Sequence, residues 1–127
     1  MHVVPGGVFL LLAPLQFSPA IRSRHLRFHR WSGWVIVSLA FIAGISGLWI
    51  GLVLPYASNE RVPIALFGAL FLFAPLKGIR AIRRGDMARH RQWMIRLFAV
   101  GVDIAVSVGV AALWIQVTQA AVAVSPR

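Results

Sequence analysis

The sequence predicts an all-α fold: a four-helix transmembrane bundle built from two tandem helical hairpins, related by a pseudo-two-fold axis along the membrane normal. Three observations predict it. The 127-residue chain is 59% hydrophobic and 13% charged, with a mean hydropathy of +0.80. A soluble body this small keeps too much of its area exposed to hide that much apolar surface. Four apolar runs are visible, each near or above the roughly 20 residues that cross a hydrocarbon core. Finally, APLQFSPAIRSRHLRFHR (Ala13 to Arg30) returns without a gap sixty-one residues later as APLKGIRAIRRGDMARHR (Ala74 to Arg91).

The first run, Val3 to Ala20, is short and holds Pro5, Gly6, Gly7 and Pro14. A secretory signal is the rival reading, but the run lacks a basic leader and a convincing A-x-A site, so a retained helix is expected. The second run is Trp31 to Tyr56, the third Val62 to Ile82 and the fourth Trp93 to Val124. Between them lie two basic segments, Arg22 to Arg30 and Lys77 to Arg91, with Arg96 just beyond. With four spans these segments fall on one side. The linker Pro55–Arg61 and both termini fall on the other. The positive-inside rule then places the basic loops in the cytoplasm and both termini in the periplasm of a bacterial inner membrane. Trp31, Trp34 and Trp93 are expected at the cytoplasmic interface, and Trp49, Tyr56 and Trp114 toward the other leaflet.

The net charge of +10 is therefore not a nucleic-acid footprint. Its cations sit between apolar runs, where anionic lipid headgroups are the expected partners. There is no cysteine, which removes disulfides, thiolate metal sites and cysteine-ligated clusters.

The repeat divides the single transmembrane domain (1–127) into units of about 1–58 and 62–124. Identical pairs include Gly7/Gly68, Ala13/Ala74, Pro14/Pro75, Arg22/Arg83, His29/His90 and Arg30/Arg91. Each unit has two spans, so both insert in the same orientation, and equivalent residues share a depth. Pro14 and Pro75 are expected to kink the first helix of each unit. Small residues, Ala43-xxx-Gly47-xxx-Gly51 and Gly101-xxx-Ala105-xxx-Gly109, supply close approach between helices.

Few residues can carry chemistry. His29 and His90, at one depth on two facing helices, have the disposition of axial ligands to a haem iron. Arg30, Arg91 and Arg96 are placed to pair with its propionates. A quinone is the other ligand considered, and interfacial capping toward headgroups is the bland reading. His2 stands at the opposite surface, and His25 is a solvated loop residue. Asp103 is the acid well inside a span, seven residues beyond Arg96. Such a carboxylate marks a functional or pairing position; Ser46, Ser107 and Arg96 are its expected partners, with a proton or cation relay as the sharper reading. Gln16, Gln116, Thr118 and Gln119 are expected to pack or meet water. No Ser/His/Asp set at plausible depth, HExxH or phosphate loop is present, so an enzyme is not the expected class.

The stretches HVVPGGVFLLLAPLQF, IRSRHLRFHRWSGWVIV and AIRRGDMARHRQWMIRLFA resemble an uncharacterised bacterial family of inner-membrane proteins, a domain of unknown function. The resemblance runs from Met1 to about Ala99. Its most specific motif is met by Arg83, Arg84, Gly85, Asp86, His90, Arg91, Trp93, Met94 and Arg96, and its histidines fall on His2, His29 and His90. The chain departs from it at Ala13, where glycine is usual, and in lacking an arginine around Ala105–Gly109. The resemblance implies membrane placement and no activity. Two functions are expected. The first is a non-catalytic accessory or structural subunit of a larger membrane complex, of which a redox or photosynthetic assembly is one kind. The alternative is a haem b- or quinone-binding electron-transfer protein that uses His29 and His90.

Overall fold

The computed structural model describes residues 2–53 and 61–124; Met1, most of the Pro55–Arg61 linker with Tyr56, and 125–127 lie outside them. All regular structure among the described residues is helical: α1 (Val3–Leu12), a 3₁₀ segment (Ala13–Phe17), α2 (Pro19–Arg24), α3 (Leu26–Val53), α4 (Arg61–Arg83) and α5 (Met87–Val124). Three of these, α3, α4 and α5, are long and apolar enough to cross a membrane.

The first apolar run differs from the other three. Pro14 sits at the start of the 3₁₀ segment, and Ser18 breaks to an extended conformation before Pro19 opens α2. Pro19, the first residue of α2, loses no bond, because that N–H is unpaired in any helix, whereas Pro14 lies in the segment that follows α1 directly, where α gives way to 3₁₀. The run is thus a ten-residue α-helix extended by five 3₁₀ residues, about 25 Å in all. Pro75 behaves otherwise. α4 continues through it, and its ring is among the most deeply buried side chains.

Both basic segments, expected as loops, are mostly helix. α2 and the first turn of α3 take up Arg22 to Arg30. Between α4 and α5 only Arg84, Gly85 and Asp86 lie outside helix. Arginine is a good helix former, so charge does not mark the helix ends here. The turn is closed by local chemistry. Gly85 adopts φ +77°, where a side chain would be strained. The Asp86 N–H donates to the Ala81 carbonyl at 3.0 Å, and the Gly85 N–H to Ile82 at 3.1 Å, the paired bonds that end a helix at a left-handed glycine. Asp86 then caps α5: its carboxylate accepts the Arg89 N–H at 2.9 Å and lies 3.3 Å from the Arg89 guanidinium. An acceptor at this position satisfies one of the N–H groups a helix start leaves unpaired.

α1 and its 3₁₀ extension lie antiparallel along α3, joined at both ends. His2 Nδ1 and Ser46 Oγ are 3.1 Å apart, and Gln16 Nε2 donates to Ser32 Oγ at 2.7 Å. α3 packs on α4, and α4 on α5. The core draws on every long element: Phe9, Ala13, Ile36, Ala40, Phe71, Ala74 and Leu97. At its centre the rings of Phe9 and Phe71 meet edge to face, centroids 5.5 Å apart. They rest on Gly101, where a Cβ would come within 2.9 Å of Phe9 and 3.1 Å of Phe71. The small residues of α3 and α5 therefore serve α1 and α4: Ala43 faces Gly6, Gly47 faces His2, and Gly51 faces Ile64.

Candidate functional site

His29 and His90 occupy the same place in their helices, the fourth residue of α3 and of α5. Each backbone N–H closes the first turn: His29 to the His25 carbonyl at 2.9 Å, His90 to the Asp86 carbonyl at 3.0 Å. Both rings are half-buried. The charges of His90, Arg22 and Arg30 are near enough to His29 to act on it.

The side chains are fixed differently. His90 Nδ1 lies 3.0 Å from the Gly78 carbonyl oxygen. A carbonyl can only accept, so Nδ1 is the donor, and whenever the ring is neutral Nε2 keeps its lone pair. Gly78 makes this approach possible, since a Cβ there would run into the Met94 side chain. In the repeat, Phe17 stands at the position of Gly78. His29 Nδ1 is buried and has no hydrogen-bond partner among the described residues.

The arginines divide. Arg30, Arg91 and Arg96 are all exposed. Arg96 lies over the Trp93 ring, 4.6 Å from its centroid, which directs its charge toward the N-terminal end of α5. Lys77 covers Phe73 at 4.9 Å, and Phe73 meets Trp93 edge to face at 5.8 Å. These cation–π contacts seat basic heads beside an aromatic belt. The arginine-rich end thus combines His90 Nε2, an imidazole nitrogen at His29 without a partner among the described residues, and several exposed cations. Asp86, the one carboxylate there among the described residues, is engaged with Arg89. That chemistry suits a ligand with an electron-poor centre or anionic groups. No cluster of three or more His, Cys, Asp or Glu side chains placed to hold a metal ion occurs among the described residues.

Asp103 stands apart. It is exposed on α5 and forms no hydrogen bond or ion pair among the described residues. Of its expected partners, Ser107 lies one turn on and forms no hydrogen bond with it among the described residues, and the other two are engaged elsewhere. Ser46 donates to the Ile42 carbonyl at 2.6 Å and faces His2, while Arg96 is held on Trp93.

Two contacts carry no signature in residue type. The Gly78 acceptor is a backbone group, and the His2–Ser46 pairing emerges only once the antiparallel register of α1 on α3 is known. Gln16 is a polar helix-end residue that does pack, against Ser32 and Gly33.

A family model described as "Predicted membrane protein (DUF2306)" matches residues 1–126. No curated protein and no solved structure matches the chain.

Proposed function

Because the chain belongs to this family of membrane proteins of unknown function, we propose that it is a non-catalytic accessory subunit, held through its helices in a larger bacterial inner-membrane complex. The observation that carries this reading is the outer half of α5. From Val106 to Ala120 every side chain is exposed, and Val108, Val110, Leu113, Trp114 and Ile115 are each more than half exposed. α5 has 38 residues, about 57 Å of helix, and α4 has 23. An apolar rod overshooting its own bundle is a surface for neighbouring helices. In native electrophoresis of mildly solubilised membranes, the protein migrates in one defined complex well above its own 14.0 kDa. The double variant Val106→Trp/Val110→Trp releases it. Migration of the wild type as the free chain sinks this reading.

The subunit is oriented with its arginine-rich end in the cytoplasm and both termini in the periplasm. The chain has no cysteine, so a single Ser23→Cys is a clean reporter. In intact spheroplasts it resists a membrane-impermeant thiol reagent, and in inverted vesicles it reacts. The reverse result inverts the topology.

The two-hairpin repeat is supported by register. Carried forward sixty-one residues, the Gln16–Ser32 contact falls on Lys77 and Trp93. In the second hairpin Gly78 faces Trp93 and Met94, within one turn of that mapping. Its pseudo-two-fold axis runs along the membrane normal.

A second reading is a haem b- or quinone-binding electron-transfer protein centred on His29 and His90. It is favoured by the free Nε2 of His90 and the unpartnered Nδ1 of His29. Axial imidazoles that donate their second N–H to a carbonyl are well suited as ligands. Arg30, Arg91 and Arg96 would meet propionates. A Soret band in purified protein, lost in His29→Ala and His90→Ala, supports haem; a colourless protein that retains no quinone removes both ligands.

A further inference from the structure

We propose that Asp103 is the anchor of a helix-docking face on α5, and that the occupant is a transmembrane helix of another protein carrying a lysine or arginine at mid-depth. The proposal rests on reading α5 as the docking helix of a subunit and names the chemistry of its partner.

Depth comes first. Asp103 lies ten residues beyond Trp93, about 15 Å along the helix axis, half the thickness of a hydrocarbon core. A carboxylate at that level is costly and is normally paired or turned into a bundle interior. Here it faces outward. Gly101, two residues earlier, points into the core against Phe9 and Phe71, so Asp103 is on the opposite side of α5.

No group among the described residues compensates it. Arg96 shares the Asp103 face, two turns toward the cytoplasm, but stacks on Trp93. Lipid headgroup cations lie at the interface, about 15 Å away. The remaining source of compensation is a neighbouring helix at the same level.

The face is shaped for one. Ala99 and Ser107 flank Asp103 one turn on either side, and both are exposed. Small side chains let two helix backbones approach closely enough for an interhelical hydrogen bond. Val106 and Val110 continue the same face toward Trp114. A second copy of this chain in the same orientation would set carboxylate against carboxylate, with its nearest cation on this face at Arg96. The complementary partner is a different helix with a basic side chain opposite Asp103.

The test uses the full chain in phosphatidylcholine vesicles, with a donor fluorophore on Ser23→Cys. Two acceptor-labelled polyleucine transmembrane peptides serve as probes, one with a single central arginine and one without. The wild type associates with the arginine peptide about tenfold more strongly than with the plain peptide, as expected of one interhelical polar contact. Asp103→Leu loses that preference and Asp103→Glu keeps it. Because Asp103 is exposed, its replacement removes no core packing. Equal transfer to both peptides, or an unchanged preference in Asp103→Leu, overturns the inference. So does energy transfer between two labelled copies of the chain that Asp103→Leu abolishes, since the occupant is then a second copy. A native complex that persists in Asp103→Leu while the wild type shows no preference sinks this inference alone and leaves the subunit reading standing.

Discussion

His90 reaches back over the tight turn between α4 and α5 and donates its Nδ1–H to the carbonyl oxygen of Gly78, 3.0 Å away. His29, at the same position of the other long hairpin helix, has a buried Nδ1 with no partner among the described residues. A hydrogen bond between protein groups contributes about 1 kcal/mol net, whereas a buried polar atom left unpaired is a cost. His90→Phe should therefore lower stability by about 1 kcal/mol in a detergent unfolding titration. His29→Phe should be neutral or stabilising. Equal losses in the two variants would mean that His29 has a partner of its own.

The Gly85–Asp86 turn yields a second expectation. Asp86→Ala removes the cap of α5 and should cost about 1 kcal/mol. Asp86→Asn keeps an acceptor for the Arg89 N–H and should cost less. Gly85→Ala forces a Cβ onto a left-handed residue and should cost about 1 kcal/mol as well. Thermal midpoints by circular dichroism in one detergent rank the three. An Asp86→Asn variant as unstable as Asp86→Ala would point to the Arg89 ion pair, and away from the cap, as the important contact.

This turn also marks how far the sequence could be read. Hydropathy places α3, α4 and α5, because a bilayer imposes one length and one polarity on any span. The helix ends are hidden, because charge reports the water boundary while arginine continues a helix into the headgroups. The first run was the ambiguous one, and Pro14 is where it changes from α to 3₁₀. At the candidate site, helical spacing puts His29 and His90 at equivalent positions. It cannot reveal that Gly78 offers its carbonyl to the His90 ring, while Phe17, at the matching place in the first unit, packs on Phe98. Spacing also sets Arg96 and Asp103 on one face of α5, but only the side-chain direction shows that Arg96 turns to Trp93.

The seam between the 3₁₀ segment and α3 gives a third expectation. Gln16 donates to Ser32, and the Ser32 hydroxyl donates onward to the Phe28 carbonyl at 2.6 Å. In membrane proteins such side-chain contacts average about 0.6 kcal/mol in double-mutant cycles. The cycle of Gln16→Leu, Ser32→Ala and the double variant should return a coupling of about that size. A coupling indistinguishable from zero would mean that apolar packing of Phe9 and Ala13 holds α1 against the bundle without help from this bond.

The largest effect belongs to Gly101. Its bare Cα lets the Phe9 and Phe71 rings close over α5, and it is the point where α1, α4 and α5 converge. A methyl group there would stand 2.9 Å from one ring and 3.1 Å from the other, closer than carbon atoms settle without displacement. Aromatic rings have few rotamers, and both are buried, so neither can swing aside cheaply. Gly101→Ala should thus cost about 1–3 kcal/mol, the usual range for overpacking, despite alanine's better helix propensity. Gly109→Ala is the control. It sits on the same helix with nothing within 4 Å and should be neutral or slightly stabilising. Phe9→Leu in the Gly101→Ala background should recover part of the loss, because the smaller side chain vacates the contested space. If Gly101→Ala and Gly109→Ala unfold alike, α1 does not press on α5 at this level, and the convergence of the three helices has to be abandoned.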